Sequence, residues 1–201
     1  MGRKYRKFIL GVLCACIMMF ATMSVQAASF TPRMSEPSKS SAYYYSNNPF
    51  QASGYGMWTK SGSKQGNCTA YAWGRAYELL GSKPKLSTGN AGAWWNYNKN
   101  HGYYSYGSTP KLGAIACWDK YDGNQGHVAV VEAINGNNIT ISESHWKSTF
   151  FDTRTIRADS SNYLTSMRFL GYIYIGNFQV EDVCNCSTSY AGNYIVTTSS
   201  L

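Results

Sequence analysis

The stretch HVAVVEAINGNNITISESH, residues 127–145, decides the fold. Apolar and small residues alternate on both sides of Asn135-Gly136, a dipeptide that tolerates the left-handed backbone of a tight turn. The spacing predicts a β-hairpin with strands over 127–134 and 138–144. In a strand, alternate residues share a face, so Ile139, Ile141, Glu143 and His145 fall together on a side that the isoleucines mark as buried. With Ile134 opposite Asn138, His127 lies across from His145 and diagonal to Glu143, within reach of long side chains. A slip of one residue would move Glu143 to the other face. A carboxylate at the end of a buried apolar row is costly unless paired, and His127 is the candidate partner.

Outward from the hairpin, GAIACW (113–118) and TSMRFLGYIYIG (165–176) read as further strands. Upstream the period changes. From Thr69 to Leu80 a stripe of Ala72, Ala76, Leu79 and Leu80 follows Cys68, with Gly81 as a stop, and this predicts a helix. GNAGAWWNYNKN (89–100) predicts a second, short one. Residues 28–63 are rich in Ser, Tyr, Asn, Gly and Pro without a sustained period, and read as a wrapping loop or arm outside the core. One helix followed by consecutive antiparallel strands predicts an α+β fold.

The amino terminus is set apart. Arg3, Lys4, Arg6 and Lys7 precede an apolar run that ends in Val25-Gln26-Ala27, the pattern of a cleaved secretory signal over residues 1–27. A retained anchor and lipidation at Cys16 are the weaker readings. Removing this segment reduces the 18 Lys and Arg to 14 against 10 Asp and Glu, so the formal charge falls from +8 to +4. That balance suits an exported protein near an anionic envelope and argues against a nucleic-acid partner.

Four cysteines remain, Cys68, Cys117, Cys184 and Cys186. Cys117, within an apolar strand, reads as a buried free thiol. Cys184 and Cys186 complete no zinc pattern. Cys68 could be a packed small residue, half of a disulfide, or a nucleophile. At a helix start, unpaired backbone N–H groups favour a thiolate and stabilise an oxyanion formed beside the sulfur. With His127 as base and then acid, and Glu143 orienting the imidazole, the three residues make a nucleophilic set. Asn67 and His145 are auxiliary candidates. Trp94 and Trp146 are candidates for a glycan groove.

GNCTAYAWGRAYELLG, GNAGAWW, PKLGAIACWD, GHVAVVEAINGNNITISESHW and DTRTI occur here in the order found in the CHAP family of cysteine, histidine-dependent amidohydrolases and peptidases, a group related to the NlpC/P60 enzymes. The resemblance covers roughly residues 45–176. It implies a papain-like α+β fold, with the nucleophile's helix packed on an antiparallel sheet, that cleaves amide bonds of peptidoglycan. It carries the nucleophile to Cys68, the histidine to His127 and the orienting acid to Glu143. Members commonly have asparagine two residues after the acid, where this chain has His145. Some members bind calcium through acidic residues ahead of the nucleophile. Residues 41–67 contain no Asp or Glu, so no metal and no cofactor is expected there.

The expected organisation is a signal peptide at 1–27, an extended arm at 28–44, the catalytic domain at 45–176, and a linker with an incomplete SH3-like strand at 177–201. The expected protein is a secreted or wall-associated monomer acting on peptidoglycan, either as an N-acetylmuramoyl-L-alanine amidase or as an endopeptidase, with no stable membrane anchor after cleavage. The alternative is an inactive wall-binding protein that keeps the fold.

Overall fold

The computed structural model describes residues 27–121 and 125–180. The predicted signal segment up to residue 26, Cys184, Cys186 and the SH3-like strand lie outside the described residues. Among the described residues no helix is long and apolar enough to cross a membrane.

The elements are β1 (Ala28–Ser29), α1 (Pro49–Ala52), α2 (Cys68–Leu80), a 3-10 turn at Ala91–Ala93, α3 (Trp94–His101), β2 (Ser105–Gly107), β3 (Ile115–Asp119), β4 (Gly126–Asn135), β5 (Asn138–Glu143), β6 (Asp152–Arg157), β7 (Arg168–Tyr174) and β8 (Phe178–Gln179). Six strands form one sheet in the order β2-β7-β3-β4-β5-β6, antiparallel throughout. The expected α+β class is what folds. β1 pairs in parallel with β8, so the two ends of the described chain meet.

The hairpin forms, with a correction to its turn. Asn135 faces Asn138 and Ile134 faces Ile139, one residue off the expected pairing, because the turn closes on Gly136 (φ 57°) and Asn137. A bulge then absorbs one residue at Glu132, and Val131 faces Ile141 while Val130 faces Ser142. The offset beyond the bulge is the expected one, and it brings His127 beside His145, with rings stacked at 4.9 Å.

The bulged Glu132 is fully buried and accepts from both Arg75 Nε (3.0 Å) and Arg75 Nη2 (2.9 Å). Ser142 Oγ donates to it at 2.6 Å and the Arg33 amide at 2.9 Å. Arg75 also donates to Glu78 and to the Thr31 carbonyl, which ties arm, helix and sheet together. A buried ion pair is tolerated when its remaining hydrogen-bonding capacity is filled, and here it is.

Two corrections concern α2 and the arm. The helix buries all of its first nine residues rather than one stripe. The arm is the reason: Phe30, Tyr44, Phe50, Met57 and Trp58 are core residues, although few of them sit in regular elements. A Cβ on Gly74 would come within 2.6 Å of the Tyr44 ring, so glycine there lets the arm lie against the helix. His101 closes α3 and bonds the Tyr97 carbonyl.

Glu132→Ala strands the Arg75 guanidinium without its buried partner. The expected loss is about 3 kcal/mol of stability, or roughly 6–12 °C in melting temperature. Calorimetry showing a loss under about 1 kcal/mol would contradict the assigned pairing.

Candidate active site

Three segments remote in sequence meet at one end of the sheet. Cys68 is the first residue of α2, His127 the second of β4, and Glu143 the last of β5. Asn67 caps the helix, its Oδ1 accepting from the Thr69 amide at 3.0 Å and the Thr69 hydroxyl at 2.8 Å, while its Nδ2 donates to the Tyr55 carbonyl at 2.6 Å. The Cys68 amide lies in the first turn, where no carbonyl of the helix reaches it.

The loop after β5 locks this helix start in place. The Asn67 amide donates to Ser144 Oγ at 2.9 Å, and the Lys147 amide donates to the Gly66 carbonyl at 2.9 Å. Gly66 is required by contact: a Cβ there would stand 2.0 Å from the His145 carbonyl oxygen and 2.4 Å from that of Thr149. The clip therefore fixes Cys68 against the end of β5.

His127 Nε2 donates to Glu143 Oε2 at 2.7 Å, and the Cys68 side chain is near enough to the ring to raise its affinity for a proton. With Nε2 committed to the carboxylate, Nδ1 is the nitrogen left for sulfur. His127 is 5 % exposed and Glu143 is 0 % exposed. Glu143 has further partners. Tyr163 donates to Oε2 at 2.6 Å, Arg154 Nε to Oε1 at 3.3 Å, and His145 Nε2 lies 3.3 Å from Oε1. Four donors thus surround the two oxygens, which offsets the cost of burying the charge.

Burial alone would depress the His127 pKa, but its interactions with Cys68 and Glu143 outweigh this and raise it from 6.5 to about 9. Burial pushes the Glu143 carboxyl up, and the His127, His145 and Tyr163 bonds overcome it, holding the group well below the usual carboxylate range. The two contributions to stability oppose each other with pH. That of His127 is complete below 6.5 and lost as pH rises through about 9, whereas that of Glu143 is present above 4.5 and lost as pH falls. His127, Glu143 and His145 offer ligand atoms within 4.8 Å of one another. Arg154 and the imidazoles fill that space with donors to the same carboxylate, an arrangement suited to hydrogen bonding.

A cleft of about 640 Å³ opens over Cys68. Tyr55 and Trp146 stand on its rim, 57 % and 47 % exposed and 5.8 Å apart between centroids. Lys120 and Asn90 also line it. Trp94, expected beside Trp146 in a groove, is 1 % exposed and belongs to the core, its Nε1 bonded to the Gly89 carbonyl. Cys117 is fully buried in β3, and burial drives its pKa far up, which suits an inert thiol. Both Cys68 and Cys117 are free.

Sequence reasoning did not find Tyr163, Arg154, Ser144 or Tyr55. Arg154 was within reach, because β6 places Asp152 opposite Glu143 and Arg154 opposite Ile141. The segment DTRTIR has a single apolar residue, Ile156, so no alternation marks it as a strand. Tyr163 comes from an irregular loop and leaves no periodic signal.

Residues 58–145 match the family model for the CHAP domain. Among curated relatives, "Probable autolysin LDP" of Staphylococcus aureus is 42% identical over 82 residues, which is 40% of this chain and 28% of that protein. "Staphylococcal secretory antigen SsaA" of the same species is 36% identical over 96 residues, 47% of this chain and 33% of that one. This chain thus aligns with about a third of the length of the curated relatives it matches. Two solved structures are similar at a TM-score of 0.40. An N-acetylmuramoyl-L-alanine amidase from Staphylococcus aureus is 30% identical, with 54% of this chain and 30% of that one covered. Ly7917 is 22% identical, with 54% and 53% covered.

Gly66→Ala must push the clip apart and shift Cys68 from His127. The expected result is a fall of at least about tenfold in the rate of Cys68 alkylation by iodoacetamide at neutral pH, with the fold retained by circular dichroism. Unchanged alkylation would show that the clip does not position the sulfur.

Proposed function

We propose that this CHAP domain hydrolyses amide bonds of peptidoglycan through a Cys68 nucleophile, and that the protein is exported to the cell wall by the segment at residues 1–27. The observation that carries the reading is the buried row in which His127 bonds Glu143 and neighbours Cys68, at the start of a helix that lines an open cleft. The relatives support the substrate: one is named an autolysin, and one of the similar structures is titled an N-acetylmuramoyl-L-alanine amidase.

The chemistry follows from the geometry. The Cys68 thiolate attacks the amide carbonyl carbon, and the carbonyl oxygen takes the electron pair beside the first-turn amide of α2. As the C–N bond breaks, the His127 imidazolium gives its proton to the departing amine, leaving a thioester and neutral imidazole. His127 then takes a proton from water, the hydroxide attacks the thioester, and the acid product leaves as the thiolate–imidazolium pair is restored. Glu143 stays ionised throughout, holding the ring's tautomer and orientation. Tyr55 and Trp146 offer exposed aromatic faces at the rim that suit sugar rings or apolar stem residues. The bond cut is either N-acetylmuramoyl-L-alanine or a peptide bond of the stem or cross-bridge.

Digestion of purified peptidoglycan by the wild-type protein and by Cys68→Ala in parallel tests the reading. Wild type is expected to release fragments whose new ends, read by mass spectrometry, name the bond, while Cys68→Ala loses at least about a thousandfold in rate. Lysis by Cys68→Ala at the wild-type rate would refute the nucleophile. Wall binding by the wild type without any fragment release would favour an inactive binding protein.

A further inference from the structure

The His127–Glu143 pair has a third member that comes from neither strand of the hairpin. Tyr163 sends its hydroxyl to Glu143 Oε2 at 2.6 Å, the same oxygen that accepts from His127 at 2.7 Å. The other oxygen is shared by Arg154 and His145. Two donors on one carboxylate oxygen compete for the same charge, since each that is added leaves less for the other.

The segment carrying Tyr163 is held in an uncommon shape. Ser160 and Leu164, which bracket it, have φ of 58° and 48°, a region that side chains other than glycine, Asn and Asp seldom occupy. Trp118 Nε1 donates to Ser160 Oγ at 2.7 Å, and Ser160 Oγ donates to the Tyr163 carbonyl at 2.9 Å. The Tyr163 ring stands edge-on to Trp118 at 5.7 Å, with the Arg154 guanidinium 5.3 Å from its centroid. Trp118 sits directly opposite His127 in the β3–β4 ladder. One side chain of β3 thus braces both the histidine's strand and the loop that delivers the phenol.

We infer that Tyr163 is a positioning residue of this site, which by sharing Glu143 Oε2 with His127 limits how tightly the imidazolium holds the proton it must give to the leaving amine. This rests on Cys68, His127 and Glu143 being the reacting row. Without Tyr163, Glu143 remains held by β5, Arg154 and His145, but Oε2 serves His127 alone. The imidazolium is then a poorer acid. The titratable and charged groups around this carboxylate are His127 from β4, His145 after β5, Arg154 and Asp152 from β6, and Tyr163, with Cys68 beyond His127. Arg154 also pairs with Asp152 at 2.8 Å and stays charged across the range of interest.

Tyr163→Phe removes one oxygen and keeps the ring against Trp118 and Arg154. The pH dependence of Cys68 alkylation needs no wall substrate and reads the thiolate–imidazolium pair directly. In wild type its rate should change as His127 loses its proton. In Tyr163→Phe that change should move upward by roughly 0.5–1 pH unit, while kcat for peptidoglycan falls several-fold at unchanged KM. A profile that overlays the wild type, or one that moves downward because Glu143 has come loose, would overturn the inference. A wild-type profile with no ionisation assignable to His127 would instead overturn the reading of the row itself, so the two failures are distinct.

Discussion

A single buried carboxylate organises this site. Glu143 has no solvent exposure, and a charge so placed survives only if the protein surrounds it with donors. His127 supplies the shortest imidazole bond, and in return the carboxylate fixes that ring's tautomer and leaves its other nitrogen to the Cys68 sulfur. The raised affinity of His127 for its proton follows from being held between two anion-forming groups. The depressed affinity of Glu143 is the reciprocal effect of the same bonds.

The rest of the fold serves to hold that row in register. A bulge at Glu132 corrects the hairpin offset so that His127 and His145 end side by side, and the bulged residue is anchored by Arg75 from α2, the helix that Cys68 begins. At the other end of α2, Gly66 and Asn67 are bonded to the loop that follows Glu143. The helix is thus fastened to the β4–β5 hairpin and the loop after it at its start and near its middle. The spacing of sulfur and imidazole is therefore set by contacts between this helix and the hairpin with the loop that follows it.

Much of this was legible in the sequence, for identifiable reasons. Period-two alternation placed Ile139, Ile141 and Glu143 on one face, and a buried acid on an apolar row demanded a partner that only His127 could supply across the turn. The helix starting at Cys68 was marked by its apolar spacing and by Gly81, which adopts φ 65° at the carboxy-terminal cap. What escaped lacked periodicity. The arm contributes Phe30, Tyr44 and Trp58 to the core from irregular backbone, and its burial is decided by what it packs on rather than by local pattern. Trp94 suits a groove or a core by residue type alone, and only the tertiary fold turns it inward. The bulge at Glu132 was hidden because its cause, Arg75, lies 57 residues away.

The most direct test of the central claim is the proton affinity of His127, measured by NMR titration of its ring in the intact protein. Held between Cys68 and Glu143, the ring should titrate near 9. A midpoint at or below 6.5, the ordinary imidazole value, would mean that burial outweighs its partners, and that sulfur, imidazole and carboxylate do not form one hydrogen-bonded row.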